Sequence, residues 1–345
     1  MIDSLRIYRA DSTHPYRNLA TEKRLMDTTG ENQCTLYLWQ NQNTVVIGRN
    51  QNAWAECKTA QLEDEGGKLA RRTTGGGAVF HDLGNLNFSI ILPERKFRLD
   101  DTFGIVLSAV LTAGIEAERS GRNDILTAGA KFSGNAFRTD RGFGLHHGTL
   151  LVNSDYARVG RYLTVANSKL AAKGVQSVRS RVINLTDVKP DVTVAQLEQT
   201  MEQAFADYIE STAEPGQEWE YRHVVDSDFA DAPGFSDLEQ HFASWDWRYG
   251  ESIRFDTEIE TRFEWGIVRL GLLIKNGLIS SARIYSDALD SDFISALSGQ
   301  FENIKFHSRE LADSIRKFPE TGGGFVTTRS KMLSDIASWI EEQGW

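Results

Sequence analysis

The sequence predicts an α/β protein of two domains, one over residues 1–243 and a smaller α+β domain over residues 246–345. The chain has 345 residues, which is more than one hydrophobic core usually organises. Strand and helix patterns alternate through the first domain, and a polar connector with two of the six prolines follows at 211–241. Beyond the connector, an Asn-Gly dipeptide between apolar runs is the strongest short signal for a hairpin.

In the first domain, Pro15 favours a helix entry, and apolar residues at helical spacing extend the helix over 16–28. The apolar runs 34–39 and 44–48 are expected to pair with each other across a polar turn. The other predicted elements are a strand at 5–8, a helix at 52–65, a buried strand at 86–92, a helix at 102–113, a strand-rich stretch at 115–152, and helices capped by Asp155 and Thr193.

In the second domain, residues 260–285 are predicted to form a hairpin that turns at Lys275-Asn276-Gly277. Helices are expected near 291–298, 308–318 and 330–341. The stretch TGGGFVTT at 321–328 echoes a glycine run in the first domain. It has neither flanking arginines nor a strand context, so we interpret it as a flexible loop.

Composition restricts the class of protein. The net charge of −10 argues against a general binder of nucleic acid or of anionic membranes. Cys34 and Cys57 have no metal-site spacing and form no disulfide framework, which fits a reducing cytoplasm. The N-terminal residues lack the apolar core of a signal peptide, and no apolar run reaches the ~20 residues that a membrane span needs.

The most informative stretch is RRTTGGGAVFHDLGNLNFS at 71–89. Three consecutive glycines suit a sharp bend or a close approach to a ligand, and exposed N–H groups in such a loop can hold an anion. Arg71 and Arg72 add planar donors that match phosphate or carboxylate. A glycine-rich hairpin with two solvated arginines remains the alternative. The stretch is neither a P-loop nor a G-x-G-x-x-G fingerprint.

This stretch resembles the signature of the lipoate–protein ligase A family, within the biotin/lipoate protein ligase superfamily. Further blocks resemble that family in its order: NLATE at 18–22, TVVIGRNQN at 44–52, GRND at 121–124, KFSGNAFR at 131–138, HHGTLL at 146–151 and KGVQSVRSRV at 173–182. The resemblance implies a mixed-sheet catalytic domain followed by a C-terminal accessory domain.

The resemblance also implies a reaction. Lipoate attacks the α-phosphorus of ATP, with Mg²⁺, to give lipoyl-AMP and pyrophosphate. A carrier lysine then takes the lipoyl group and releases AMP. The implied partners are lipoyl domains of 2-oxoacid dehydrogenase complexes and the glycine-cleavage H protein. The enzyme is expected to be a cytoplasmic monomer.

The family's functional residues are carried over only where the motifs match. Lys131 is implied to be catalytic and to contact both lipoate and nucleotide. The implied ATP contacts are Arg72, Gly77, Ala78, Val79, Phe80 and Lys131. The implied lipoate contacts are Lys131, Gly75, Gly76 and His147. The segment implied to close over the adenylate contains Lys173, Gly174, Ser177, Arg179 and Val182.

The residues themselves leave alternatives open. Composition alone favours an exposed Lys131, because lysines are rarely buried unless they are paired. His146 and His147 should point to opposite faces of a strand, so one is expected in the core and the other at the surface or lining the site. Asn123 and Asp124 suit a metal, with Asp124 as the ligand, or the adenine amine, or a turn. KGVQSVRSRV could be a solvated basic loop.

Three other functions compete with the ligase. An octanoyl or lipoyl transferase of the same superfamily needs an acyl-thioester cysteine in its pocket, and neither cysteine is evidently placed there. A biotin ligase would carry a Gly-Arg-Gly-Arg loop, which the sequence lacks. A non-enzymatic lipoate-binding module would not consume ATP.

Overall fold

The computed structural model describes residues 4–164, 182–212, 220–229, 232–249, 256–319 and 327–344. Its strands are β1 (Ser4–Arg9), β2 (Gln33–Trp39), β3 (Thr44–Ile47), β4 (Lys68–Arg71), β5 (Val79–His81), β6 (Asn85–Pro93), β7 (Glu118–Ser120), β8 (Asp124–Thr127), β9 (Ala130–Asp140), β10 (Phe143–Leu151), β11 (Glu220–Val225), β12 (Thr257–Phe263), β13 (Gly266–Lys275) and β14 (Leu278–Ser286). Its helices are α1 (Pro15–Thr28), α2 (Ala53–Glu56), α3 (Thr59–Asp64), α4 (Leu99–Thr112), α5 (Tyr156–Tyr162), α6 (Leu185–Val188), α7 (Val194–Ser211), α8 (Phe235–Ala243), α9 (Trp245–Tyr249), α10 (Ser291–Ser298), α11 (Ser308–Arg316) and α12 (Arg329–Glu341).

A mixed eight-stranded sheet dominates the first part of the chain. Its strand order is β11-β1-β2-β6-β10-β9-β8-β7. The strand β1 pairs in parallel with both β11 and β2, and the remaining pairs are antiparallel. Every residue of the central strand β6 is buried, as expected for a strand covered on both faces. The predicted α/β fold with a mixed sheet is confirmed.

Amphipathic helices cover this sheet. Pro15 is the first residue of α1, where its missing N–H costs nothing, and the helix buries Leu19 and Leu25. The helices α4 and α7 pack on each other through their apolar stripes. The Thr193 hydroxyl accepts the Gln196 N–H at 3.1 Å and caps α7, as the capping pattern predicts.

The predicted pairing of 34–39 with 44–48 is wrong. The strand β2 lies inside the large sheet between β1 and β6, whereas β3 joins β4 and β5 in a separate three-stranded sheet. Asn43 adopts a positive φ of 47° at the connection, so the polar residues do form a turn. That turn directs the chain into another sheet because β2 already has a neighbour on each side.

Two further expectations need correction. The stretch expected as one helix over 52–65 forms two, α2 and α3, because the Lys58 N–H donates to the Tyr162 carbonyl at the break between them. The connector at 211–241 contains the edge strand β11, which pairs in parallel with β1. Parallel pairing with a strand some two hundred residues earlier leaves no local sequence signal.

The C-terminal residues build a small antiparallel sheet, β12-β13-β14, backed by α10, α11 and α12. The predicted hairpin turn is confirmed. Asn276 and Gly277 have φ of 54° and 75°, the left-handed values that a tight two-residue turn requires. The apolar core includes Leu270, Ile284 and Ile336, all buried. Of the glycine-rich stretch 321–328, residues 321–326 lie outside the described residues.

By their internal contacts, the residues divide into two compact units. Unit 1 comprises Met1–Val46, Glu56–Ala70 and Val79–Ser244. Unit 2 comprises Trp245–Trp345 together with two earlier segments, Ile47–Ala55 and Arg71–Ala78. Part of the glycine-rich stretch therefore packs with the C-terminal residues. The predicted domain boundary at residues 243–246 stays a prediction. Among the described helices, none has the length and apolar character to cross a membrane.

Candidate active site

Lys131 lies on β9 of unit 1 beside the neighbouring strand β8. Its ammonium Nζ forms an ion pair with Asp124 Oδ1 at 2.7 Å, and about a third of each side chain is exposed, 32% and 38%. The lysine is therefore paired and still open to solvent, which differs from both the free surface lysine and the buried lysine weighed above. A charged amine in this position can exchange its carboxylate partner for a substrate anion.

Gly134 makes room for the lysine side chain. A Cβ at position 134 would lie 3.0 Å from Lys131 Nζ and 3.1 Å from its Cε, which is tighter than ordinary contact. The Gly134 N–H donates to the Thr149 hydroxyl at 3.2 Å, which links this part of β9 to β10. Gly134, in the KFSGNAFR block, thus leaves space for the side chain of Lys131, three residues before it.

The end of the predicted closing segment lies next to Lys131. Val182 forms an isolated parallel bridge with Lys131, and the Ile183 N–H donates to the Lys131 carbonyl at 2.9 Å. The other members of that segment, Lys173, Gly174, Ser177 and Arg179, lie outside the described residues.

The Asn123-Asp124 pair divides between two tasks. Asn123 is a structural residue, because its side-chain amide donates to the Asn135 carbonyl at 2.6 Å and its own carbonyl accepts the Asn135 N–H at 2.9 Å. Asp124 is paired with Lys131. Within the described part of the chain, no group of three or more His, Cys, Asp or Glu side chains could hold a metal ion.

The adjacent histidines on β10 are both buried, so the alternative that one of them lies at the surface is wrong. His146 Nδ1 bonds the Thr102 hydroxyl at 2.8 Å and Nε2 bonds Asn135 Oδ1 at 2.9 Å. Burial, together with the neighbouring His147 and Arg119, lowers the pKa of His146 well below its usual value, so this imidazole is neutral and structural.

His147 belongs to a buried polar chain that the sequence did not reveal. Its Nδ1 lies 2.8 Å from Glu22 Oε1, and the same oxygen accepts the Ser89 hydroxyl at 2.5 Å. Trp39 donates its indole N–H to that hydroxyl at 3.1 Å. One signal could have found Glu22, because it is a carboxylate on the buried face of the amphipathic helix α1. The predicted role of His147 in lining the lipoate site stays a prediction.

In unit 2, Arg71 is a structural residue. Its side chain is fully buried and donates to five backbone carbonyls at 2.6–3.1 Å. The acceptors belong to Gly48, Arg49, Gln51, Trp247 and Arg248. The expectation that both arginines face an anion is therefore wrong for Arg71, which ties the segment after β3 to α9.

Arg72 bonds to the glycine loop, which is the connection between β4 and β5 that contains Gly75, Gly76 and Gly77. Its Nη2 donates to the Gly75 carbonyl at 2.7 Å and to the Gly77 carbonyl at 2.8 Å, and its Nε donates to the Thr74 hydroxyl at 3.2 Å. In a trans peptide, the N–H points away from the carbonyl oxygen. Binding the Gly77 carbonyl therefore turns the N–H of Ala78 to the side opposite the guanidinium.

The three glycines are needed for different reasons. A Cβ at position 75 would lie 2.8 Å from the Leu289 carbonyl oxygen and closer still to that of Ala288, so Gly75 permits backbone to approach backbone. Gly76 has φ of +92°, which favours glycine. Gly77 has neither constraint, because a Cβ there would meet nothing within 4 Å among the described residues. Of the three glycines, only Gly77 has open space at the Cβ position when the described residues are considered.

Comparison with known proteins identifies the family. Residues 14–206 match the family model for the lipoyl protein ligase A/B catalytic domain, and residues 252–340 match the bacterial lipoate protein ligase C-terminus. The lipoate-protein ligase A of Psychrobacter cryohalolentis is 39% identical over 97% of this chain and 98% of its own. That of Bdellovibrio bacteriovorus is 36% identical over 98% of both chains.

The chain belongs to the lipoate–protein ligase A family. The predicted enzyme class, a lipoate–protein ligase, is confirmed. Among solved structures, this ligase is similar to P. falciparum LipL1 in complex with lipoate, with a TM-score of 0.83 and 28% identity over 98% of this chain and 99% of that one. A lipoate-protein ligase A bound with ATP shares the fold at a TM-score of 0.58 and 24% identity, covering 72% of this chain and 99% of that one.

The cysteines of this ligase are unsuited to thioester chemistry. Cys34 lies inside β2 and Cys57 lies between α2 and α3, and both are buried. Burial raises the pKa of each thiol to about 12, so the reactive thiolate is not formed at neutral pH. Burial and the raised pKa of both thiols argue against the rival acyl-thioester transferase.

Proposed function

We propose that this ligase activates lipoate with ATP and passes the lipoyl group to a carrier lysine. In the first step the lipoate carboxylate attacks the α-phosphorus, an O–P bond forms, and pyrophosphate leaves. In the second step a neutral carrier amine attacks the lipoyl carbonyl, the C–O bond to AMP breaks, and the amine loses its proton. The observation that carries the proposal is the partly exposed ammonium of Lys131 beside Asp124.

Lys131 is proposed to act as a fixed cation. Two anions, a carboxylate and a triphosphate, must approach each other, and a preorganised ammonium between them offsets their repulsion. Asp124 holds the amine in place until the substrate anions compete for it. The bond from Ile183 to the Lys131 carbonyl and the space at Gly134 hold the strand and the side chain.

The glycine loop is proposed to hold the nucleotide phosphates through its backbone. Arg72 was carried over as a nucleotide contact, and its bonds to loop carbonyls support a second role, since they orient the loop. Of the other proposed ATP contacts, Gly77 has open space at its Cβ position, and the Ala78 N–H points away from the Arg72 guanidinium. Val79 and Phe80 begin β5, which leads out of the loop.

Lipoate is proposed to contact Lys131 through its carboxylate and His147 through its chain. The bond between His147 and Glu22 fixes the imidazole, so that wall of the site is rigid. Gly75 and Gly76 remain proposed lipoate contacts. Glycine has no side chain, so any such contact would be through its backbone. The Gly75 carbonyl already accepts from Arg72, and the Gly76 N–H already donates to the Ala288 carbonyl.

Mg²⁺ is proposed to enter with ATP as part of the substrate. This ion keeps several waters and binds one or two carboxylates together with substrate phosphates, so it needs no cage of protein ligands. The partly exposed carboxylate of Asp124 fits that requirement as a single ligand. When bound, the ion would neutralise phosphate charge.

The acceptors are proposed to be lipoyl domains of 2-oxoacid dehydrogenase complexes and the glycine-cleavage H protein. In support, a fold neighbour is described as a bi-partite lipoate protein ligase with its E2 lipoyl domain from Thermoplasma acidophilum, with a TM-score of 0.62 at 22% identity over 74% of this chain and 100% of that one. The enzyme is proposed to act as a cytoplasmic monomer.

Pyrophosphate release tests the proposal. The ligase is incubated with MgATP, with and without lipoate, and pyrophosphate and lipoyl-AMP are measured before an apo carrier domain is added. We expect release that requires lipoate, followed by carrier modification and AMP. Carrier modification from an acyl thioester in the absence of ATP would assign the chain to the transferases instead. Lipoate binding without pyrophosphate release would reject adenylation.

A further inference from the structure

Asn50 connects two segments of unit 2. It follows β3 and forms three hydrogen bonds to residues 286–295, the segment from the end of β14 into α10. Its backbone carbonyl accepts the Ser286 N–H at 2.9 Å. Its side-chain amide donates to the Ser291 carbonyl at 2.7 Å, and its Oδ1 accepts the Ser295 hydroxyl at 2.7 Å. Both polar ends of one short side chain are therefore used on the same neighbouring segment.

That neighbouring segment in turn contacts the glycine loop. The Ser286 hydroxyl accepts the Ala288 N–H at 3.0 Å, and the Ala288 carbonyl accepts the Gly76 N–H at 3.3 Å. The Ser291 hydroxyl donates to the Thr73 carbonyl at 3.3 Å. Two chains of hydrogen bonds thus lead from Asn50 to the loop, one from its backbone carbonyl through Ser286 and Ala288 and one from its side chain through Ser291.

The loop has little freedom to compensate if this segment moves. Gly75 packs directly on the backbone of Ala288 and Leu289. On the other side, a Cβ at Gly48 would collide with the Gly76 carbonyl oxygen, so that backbone is equally close. A displacement of the 286–295 segment would therefore pass to Gly75 and Gly76, because close-packed backbone transmits strain.

We propose that the Asn50 side chain has a positioning role in ATP use, which acts through Ser291 on the glycine loop and involves no contact with substrate. The inference rests on the proposed role of that loop in holding phosphates. Since a 1 Å misplacement far from the chemistry can cost about 10²-fold in rate, partial loosening should be measurable. Lipoate should be less affected, because only Gly75 and Gly76 of its proposed contacts lie in this loop, whereas Lys131 and His147 lie on β9 and β10.

The test compares Asn50→Ala with a matched asparagine two positions later. Asn52 caps α2 by accepting the N–H groups of Trp54 and Ala55 at 3.1 and 3.2 Å, and its side chain makes no bond to the 286–295 segment among the described residues. Asn50→Ala is expected to raise the KM for ATP about tenfold, with the KM for lipoate within about twofold of wild type. Asn52→Ala should keep both values.

Two more variants separate positioning from general destabilisation. Asn50→Asp keeps the acceptor for Ser295 but loses the donor to the Ser291 carbonyl, so it should raise the KM for ATP as Asn50→Ala does. Ser291→Ala removes only the bond to Thr73 and should give a smaller rise. Melting curves run beside the kinetics should show each variant folded.

The outcomes distinguish this inference from the proposed function. A wild-type enzyme that releases no pyrophosphate rejects the proposed function itself. An active wild type with an unchanged KM for ATP in Asn50→Ala overturns the positioning role alone. An equal loss of ATP and lipoate use with a lowered Tm also overturns it, because Asn50 would then act only in stability.

Discussion

Two glycines in the same loop should respond oppositely to the same substitution. In Gly75→Ala the added methyl group would lie 2.8 Å from the Leu289 carbonyl oxygen and closer to that of Ala288. Both obstacles are backbone atoms, so relief requires the loop or the 288–289 segment to move. Overpacking of this kind typically costs about 1–3 kcal/mol. In Gly77→Ala the methyl group would enter open space, and fewer unfolded conformations would favour the variant by about 0.4–1 kcal/mol.

Thermal unfolding and ATP kinetics together measure both effects. One kcal/mol shifts Tm by roughly 4–8 °C in a cooperative unit of about a hundred residues, so a cost of about 1–3 kcal/mol should make Gly75→Ala melt roughly 4–24 °C lower. Gly77→Ala should melt at or slightly above the wild-type temperature and still use ATP less well, since its methyl group occupies the space proposed for phosphate. Equal melting of the two variants would refute the packing argument. An unchanged KM for ATP in a folded Gly77→Ala would refute the assignment of that space to the nucleotide.

Three further predictions concern side chains. Lys131→Ala should lower the rate of lipoyl-AMP formation by about 10²–10³-fold with an unchanged melting temperature, and Lys131→Arg should recover little of that rate. Pyrophosphate release with lipoate titrated measures both variants. A rate for Lys131→Ala above about a tenth of wild type would remove this lysine from the mechanism. Arg72→Lys keeps the charge but not the planar fork that holds two loop carbonyls, so ATP use should weaken while the fold persists; ATP kinetics equal to wild type would show that charge alone suffices. The double variant Cys34→Ala, Cys57→Ala should ligate at near wild-type rate, since burial raises the pKa of both thiols to about 12. Alanine is chosen because a serine would bury a hydroxyl. Loss of transfer in a folded double variant would favour a thioester mechanism.

Short-range signals determine much of the local structure. Pro15 at a helix start, the Thr193 cap and the Asn276-Gly277 turn each act on backbone within a few residues, so they can be recognised from the chain alone. The ordered motifs, with their residues and spacing, are also enough to indicate the ligase family. Lys131 is singled out by the resemblance of its block to that family, since composition alone favours an ordinary exposed lysine.

Tertiary structure decided which of two similar residues does what. Arg71 and Arg72 are adjacent and chemically identical. Arg71 donates to five backbone carbonyls of distant segments, whereas Arg72 donates to carbonyls of its own loop. The partner of Lys131 is Asp124 on a neighbouring strand, and the partner of His147 is Glu22 on a helix 125 residues away. Pairings of this kind depend on which strands become neighbours.

The same physical reason explains the errors in the strand assignment. Residues 34–39 and 44–48 do form strands, as their composition predicts, but their hydrogen-bond partners lie elsewhere in the chain. A strand's pattern shows that its backbone will be extended and which residues will be buried. Its N–H and C=O groups can pair with any strand of suitable register, and only the packing of the whole sheet selects β6 for β2 and β11 for β1.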